Sequence, residues 1–150
     1  MYDDNIVFRP LGHVRTPVAD DDIARKRREL ISDIEIHPEY ADGLTGLGAY
    51  SHIIVLFWMD RANPPQSLLC HPRGDESLPR CGVFAVRGRN HPNGIGLAVC
   101  ELLKLRDSRL TVTRLDAFDG TPVLDLKPYD DYDRVDAPRV PDWFKLRARS

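Results

Sequence analysis

The sequence predicts an all-β domain, a barrel or a sandwich, on three observations. Short apolar or alternating runs recur at regular spacing, and glycine, asparagine and proline punctuate the gaps between them. Helical periodicity is scarce. Twelve prolines in 150 residues exceed the usual share of about 5%, and long helices tolerate that poorly.

Ile6-Val7-Phe8 and Leu11 to Arg15 flank Pro10, the mark of an edge strand or a bend rather than a central strand. Asp20-Asp21-Asp22 ahead of Arg25-Lys26-Arg27-Arg28 puts acid at one end and base at the other, which suits a short helix and its macrodipole. Ile31 to Ile36 ends in alternation, with Ile34 and Ile36 on one face and Asp33 and Glu35 on the other. Pro38 to Asp42, proline first and Gly43 after, fits one helical turn. Ile53 to Met59 is apolar throughout and β-branched at its start, so it reads as a strand buried on both faces. Val83 to Val86 reads as a further short strand. Ile95 to Leu105 and Arg109 to Leu115 bracket Arg106-Asp107-Ser108 as a hairpin. Val123 to Lys127 follows an Asp119-Gly120 turn. Asn63-Pro64-Pro65 and His71 to Pro79 read as surface loops, and from Tyr129 onward Asp and Pro dominate a tail that packs against the domain or frays.

Size and charge bound the function. One hundred and fifty residues suffice for one domain with a real core. A formal charge of -2 creates no global field that would recruit nucleic acid or anionic membrane, so such a partner needs a local patch. Ile53 to Met59, the longest apolar run, is too short to cross a bilayer as a helix. Met1-Tyr2-Asp3-Asp4 carries no basic and then apolar leader. Cys70, Cys81 and Cys100, odd in number and widely spaced, read as reduced thiols. The expectation is a cytoplasmic protein with no membrane partner.

Several motifs fail on their spacing. Gly43-Leu44-Thr45-Gly46-Leu47-Gly48 precedes the strongest strand, whereas a dinucleotide loop follows a strand and opens a helix, so turns are the better reading. Cys70-His71, Cys81 and His91 lack zinc-ligand spacing, and no metal is expected. His52 reads as a residue hydrogen-bonded at a strand entrance, and no G-x-S-x-G elbow accompanies it. Two stretches keep both readings open. Gly82 to Leu97 carries Arg87, Arg89, Asn90, His91 and Asn93 between two strands, side chains that suit a carboxylate, a ribose or a phosphate. Leu115 to Pro122 sets Asp116 and Asp119 three residues apart in a tight turn, where they can accept from hydroxyls or an amine. Both stretches equally suit turns whose asparagines, aspartates and glycines supply left-handed backbone or Asx caps.

Together these stretches resemble the TsaA-like (TrmO) family over about Ile6 to Tyr129. The resemblance is carried, in order, by Leu11 to Pro17, by Tyr40 to Leu47 and Tyr50-Ser51-His52 with Ile53 to Trp58, and by His71-Pro72-Arg73-Gly74-Asp75. Gly82-Val83-Phe84-Ala85, Arg87, Pro92-Asn93, Ile95-Gly96-Leu97, Asp119-Gly120-Thr121-Pro122-Val123 and Lys127-Pro128-Tyr129 complete it. It implies a single-domain, closed β-barrel of about six to seven strands with short helical segments, residues 1–130, followed by a C-terminal tail, residues 131–150. It implies a homodimer that binds S-adenosylmethionine and methylates N6 of threonylcarbamoyl-adenosine beside the anticodon of tRNA. Transferred by motif, Arg87, Leu97, Asp119, Gly120, Thr121, Asp116, Asp60 and Arg61 are cofactor contacts, while Arg89, His91 and Asn93 face the substrate. The family pattern names no catalytic base.

The chain departs from the family where the loop usually reads T-R-S-P and then R-P-N-P-I-G. Here it reads Val86-Arg87-Gly88-Arg89 and then His91-Pro92-Asn93-Gly94-Ile95-Gly96. Fewer prolines leave the backbone freer, and His91 introduces a pH-sensitive charge. An early P-R-Q stretch is missing, with Arg25-Lys26-Arg27-Arg28 nearby but unmatched, and only about twenty residues follow Tyr129. Three functions therefore compete: the tRNA methyltransferase, a methyltransferase of a small molecule, and a barrel that binds cofactor or RNA without catalysis.

Overall fold

In a computed structural model that describes residues 4–147, six antiparallel strands close into a barrel. Chain order gives β1 (Gly12–Arg15), α1 (Asp20–Lys26), β2 (Ile31–Ile36), β3 (His52–Trp58), β4 (Leu69–Cys70), β5 (Cys81–Gly82), β6 (Ile95–Arg106), β7 (Arg109–Thr113), β8 (Pro122–Pro128) and α2 (Asp142–Arg147). Around the barrel the order is β1-β2-β7-β6-β3-β8, closed by pairing of β8 with β1. β4 and β5 form a separate two-stranded hairpin. No helix among the described residues is long and apolar enough to cross a membrane.

Alternation builds the core. Val14, Ile34, Val55, Phe57, Ala98, Cys100, Leu110, Val112 and Val123 point inward from their strands and are buried. At roughly 1.5–3 kcal/mol for each large aliphatic or aromatic side chain removed from water, these positions dominate stability. The chain between β2 and β3 runs through 3-10 turns at Pro38–Leu44 and Leu47–Ala49, and Leu44 and Leu47 join the core. The β6–β7 hairpin turns at Asp107 and Ser108, both with positive φ, the signature of a type I′ turn.

Four expectations need correction. Ile6-Val7-Phe8 is no strand; it runs exposed ahead of Pro10, because the barrel has closed without it. Val83 to Val86 is a 3-10 turn over Val83–Ala85, and the pairing there uses Leu69–Cys70 with Cys81–Gly82 instead. β7 stops at Thr113 because Arg114 takes a positive φ. β3 is buried on one face only: Ile53, Val55 and Phe57 are inside, whereas Ile54 and Leu56 are half-buried and Trp58 is exposed. A barrel strand has one inner face, and among the described residues the outer one is only partly covered.

Gly96 shows how tightly the interior is filled. A Cβ built there overlaps the ring of Phe57, its register partner on β3. Gly96→Ala is expected to cost roughly 1–3 kcal/mol through overpacking, read as a lower denaturation midpoint. Phe57→Leu in the Gly96→Ala background should recover part of that loss. Equal stability of Gly96→Ala and the parent protein would contradict the packing described.

Candidate functional site

One mouth of the barrel gathers most of the residues singled out from sequence. It is formed by the ends of β1 and β3, the beginnings of β6 and β8, the Val83–Gly94 loop and the Leu115–Thr121 turn. The turn is pinned to β1: Gly120 N–H donates to the Val14 carbonyl (2.8 Å), Val14 N–H to the Thr121 carbonyl (2.9 Å), and Thr16 N–H to Asp119 Oδ1 (3.0 Å). Gly120 holds φ +81°, where a side chain would be strained.

Arg61 joins β3 to this turn. Its Nη2 donates to the Asp119 carbonyl at 2.7 Å, and its Nη1 pairs with Asp20 of α1 at 2.6 Å. Its guanidinium lies 5.5 Å from the centre of the Phe118 ring. Arg89 approaches the same ring at 5.4 Å and donates to the Arg61 carbonyl at 3.4 Å. Two like charges thus share one aromatic platform. Each is drawn to the ring quadrupole, and Asp20 offsets one of them. Such a doubly cationic surface favours a bound anion.

The other loop seats against β3 and β6. Arg87 Nη2 donates to the Leu97 carbonyl at 2.7 Å, and Met59 N–H donates to the Gly94 carbonyl at 2.8 Å. His91 Nε2 donates to the Val86 carbonyl at 2.8 Å, and its ring meets Phe84 edge-on. His91 therefore staples its own loop rather than facing solvent. Leu97, Trp58, Ile95 and the highly exposed Phe84 give the mouth an apolar border.

The structure thus brings Arg61, Arg87, Arg89, Leu97, Asp119, Gly120 and Thr121 to one mouth, Thr121 through its backbone and with its side chain buried. Asp60 follows β3 there and its charge reaches His13. Asn93 is exposed in the turn before Gly94. Asp116 is exposed between buried Leu115 and Ala117, and its charge acts on the Cys100 thiol rather than within the Arg61–Phe118–Arg89 stack. Sequence reasoning missed Phe118 and Asp20. Phe118 stood in plain view as a lone aromatic between two acids; Asp20 was read only as a helix start. Two open depressions lie elsewhere. One, of about 660 Å³, is lined by the paired charges Asp33, Glu35 and Arg109; the other, of about 540 Å³, lies beside Tyr40, Leu47 and Tyr50 and offers no cationic side chain.

The fold and this mouth define a class: a small closed barrel whose arginines and aromatic rings gather on rim loops. The chain belongs to the tRNA-methyltransferase O N-terminal domain family, whose model matches residues 22–136. It is 41% identical over 127 residues to the S-adenosyl-L-methionine-binding protein of Archaeoglobus fulgidus, covering 83% of this chain and 89% of that one. A relative from Methanothermobacter thermautotrophicus, named a probable S-adenosyl-L-methionine-binding protein, is 40% identical over 140 residues, 91% of this chain and 98% of that one. The crystal structure of TrmO from Pseudomonas aeruginosa superposes with a TM-score of 0.73 at 31% identity, covering 91% of this chain. The chain spans 61% of that solved chain.

His13, on the outer face of β1, carries a pH signature. Its burial, then the His37 ring 5.1 Å away and the Arg15 charge, pull its pKa below the ordinary 6.5, against the opposing pull of Asp60 and Glu35. A lowered histidine pKa means that the folded state prefers the neutral ring. The resulting stability is present above pH 6.5 and is lost as pH falls through the lower folded value. Urea denaturation across that window should show stability falling with acidification, and His13→Gln should flatten the slope; an unchanged slope would refute the assignment.

Proposed function

We propose that this mouth binds S-adenosylmethionine and that the protein transfers its methyl group to N6 of threonylcarbamoyl-adenosine beside the anticodon of tRNA. The observation that carries the reading is the convergence of Arg87, Arg89 and the Phe118–Thr121 turn on one rim, in a chain of this family.

The donor set fits the cofactor. Its carboxylate needs a guanidinium, and Arg87 and Arg89 are exposed on the rim with hydrogen bonds only to backbone carbonyls among the described residues. Its ribose needs acceptors, which Asp119 offers at the mouth. Its adenine needs an apolar surface, for which Leu97 and Trp58 are the nearest candidates. When bound, the cofactor supplies a sulfonium methyl for in-line displacement. The protein's part is to hold the acceptor nitrogen against that methyl, a contribution from proximity and orientation. Arg61, tied to Asp20 and to the Asp119 carbonyl, holds the turn in place and keeps further guanidinium N–H groups for the cofactor.

An anticodon loop suits the surroundings because its bases can be splayed out and stacked on protein rings and guanidiniums. Arg27 and Arg28 are exposed after α1, while Arg25 is paired with Asp22, so the rim arginines carry most of the cationic contribution. The cytoplasm is the compartment in which such a substrate and three free thiols coexist. The departures in the Gly88–Gly94 loop favour a second reading, a small-molecule acceptor for the same methyl group.

A homodimer is part of the proposal. Outward residues of β3 and β6 stand in register as Ile54 with Val99, Leu56 with Leu97 and Trp58 with Ile95, an apolar sheet face. The outside of β1, β2 and β7 is instead laced with ion pairs among Arg15, Asp33, Glu35 and Arg109. An apolar half beside a charged half fits an isologous contact between two copies. Sedimentation should report a dimer that Val99→Glu converts to monomer; a monomeric parent protein would overturn this arrangement.

Calorimetry with S-adenosylmethionine and its demethylated product tests the site. Arg87→Ala is expected to weaken binding about tenfold to a hundredfold, the worth of a charged hydrogen bond, with the fold intact by circular dichroism. Unchanged affinity would remove Arg87 from the pocket. Incubation with labelled cofactor and bulk tRNA tests the acceptor. Label in modified adenosine supports the proposal, label only on small molecules supports the second reading, and binding without transfer leaves a non-catalytic module.

A further inference from the structure

The β4–β5 hairpin stands apart from the six-stranded barrel and carries two of the three cysteines. Its register places Cys70 directly opposite Cys81. Opposed residues of an antiparallel pair have Cα atoms about 4.5 or 5.5 Å apart, and both spacings lie inside the disulfide range of about 4.4–6.8 Å. Both thiols are free and half-buried, so a small oxidant can reach them. Burial raises the Cys81 pKa, and Cys70 raises it further through its charge and a side-chain hydrogen bond. The two sulfurs are therefore neighbours in space as well as in register. Cys100 contrasts with them: it is sealed inside the barrel, and burial pushes its thiol up to about 12.

The segment between the two cysteines is already ordered for closure. His71 Nδ1 donates to the Leu78 carbonyl at 2.8 Å, Gly74 N–H to the His71 carbonyl at 3.0 Å, and Leu78 N–H to the Asp75 carbonyl at 3.0 Å. From outside, the Arg73 guanidinium stacks on Trp143 and Phe144 of α2. The loop between the cysteines is thus already closed at its base by the register that opposes them. Without a bridge, two residues per strand form a marginal ladder.

We propose that Cys70 and Cys81 are a reversible dithiol–disulfide pair that clamps the base of the loop bearing Arg87. A peroxide is the oxidant. The thiolate of one cysteine attacks the peroxide oxygen, breaking the O–O bond, so that the sulfur becomes a sulfenic acid and hydroxide leaves, which takes up the proton that the thiol released and becomes water. The thiol of the other then attacks that sulfur; the S–S bond forms and a second water leaves. Two thiols are oxidised by two electrons and one hydrogen peroxide is reduced to two waters. A dithiol reductant reverses the step by exchange.

The clamp sits where it can be felt. Gly82 follows Cys81 directly, Val83 N–H donates to the Leu68 carbonyl at 2.9 Å across the hairpin, and the Val83–Ala85 turn leads to Arg87. Fixing the hairpin base restricts the ways this turn can open. The consequence for methyl donor binding rests on the function proposed above; formation of the disulfide does not.

The test uses the full chain. Treat it with hydrogen peroxide, alkylate the remaining thiols, and map the peptides by mass spectrometry. Cys70 and Cys81 should lose alkylation together and appear as one linked intramolecular peptide that dithiothreitol dissolves, while Cys100 stays unoxidised. Full alkylation of both after oxidant, oxidation of each to sulfinic acid without a link, or links only between molecules would overturn the proposal. Cys70→Ser should leave Cys81 unable to form the link, with circular dichroism confirming the fold. Hydrogen exchange then reads the clamp: amides from Gly82 to Arg87 should slow in the oxidised form, and equal exchange in both forms would refute coupling to the loop. Calorimetry on both forms is a separate measurement, so a failure to bind the methyl donor is distinguishable from a failure of the thiol pair.

Discussion

Barrel closure between β8 and β1 is the interaction on which the rest of the structure depends. The seam is short: Gly12 faces Val123, His13 faces Pro122, and Leu11 and Val14 extend it by hydrogen bonds to Val123 and Thr121. On the other side of β1, Gly12 lets β2 lie close, since a Cβ there would overlap the carbonyl of Glu35. Without the seam the six strands would be an open sheet with two free edges, an aggregation hazard. With it, the turn that precedes β8 is carried onto the end of β1. Asp119 then meets the Thr16 amide, Gly120 meets Val14, and Arg61 finds the Asp119 carbonyl. The rim chemistry inherits its geometry from the closure.

Most strands were legible because inward burial imposes a period of two that propagates along the chain. Ile34 and Ile36, or Leu110 and Val112, show that period without help from their neighbours. The hairpin at Asp107-Ser108 was legible for a related reason: its residue types permit positive φ. Failures fall where a tertiary partner decides. Val83 to Val86 has strand-like residues but no strand to pair with, and the two-residue ladder beside it is too short for any pattern. The outer face of β3 is apolar for a reason external to its own alternation, so apolarity there was mistaken for burial on both sides. The arginines and the Asp119–Thr121 turn named by motif resemblance lie together at one mouth. The stack of Arg61 and Arg89 on Phe118 joins segments far apart in sequence, and no local pattern announces such a meeting. His91 bonds the Val86 carbonyl through one ring nitrogen, a contact five residues back along its own loop that no local pattern announces.

Charge is distributed with similar economy. Arginine appears on the rim in three settings: balanced by a carboxylate (Arg61 with Asp20), stacked on an aromatic ring (Arg89 on Phe118) and bonded to a carbonyl alone (Arg87 on Leu97). The first ties α1 to the rim turn, and the other two hydrogen-bond to backbone only among the described residues. A chain of formal charge -2 can therefore present a cationic rim without a cationic surface overall.

The ring of Phe57 occupying the space left by Gly96 has an evolutionary consequence. A barrel plugged by its own side chains offers no lumen through which a ligand could couple the two ends. Chemistry at one mouth can then be rewritten, loop by loop, with the wall and its filling left untouched. Inheritance in such a molecule is split in two. The interior is constrained by packing, where one change calls for a compensating one, and the rim loops are free of that constraint.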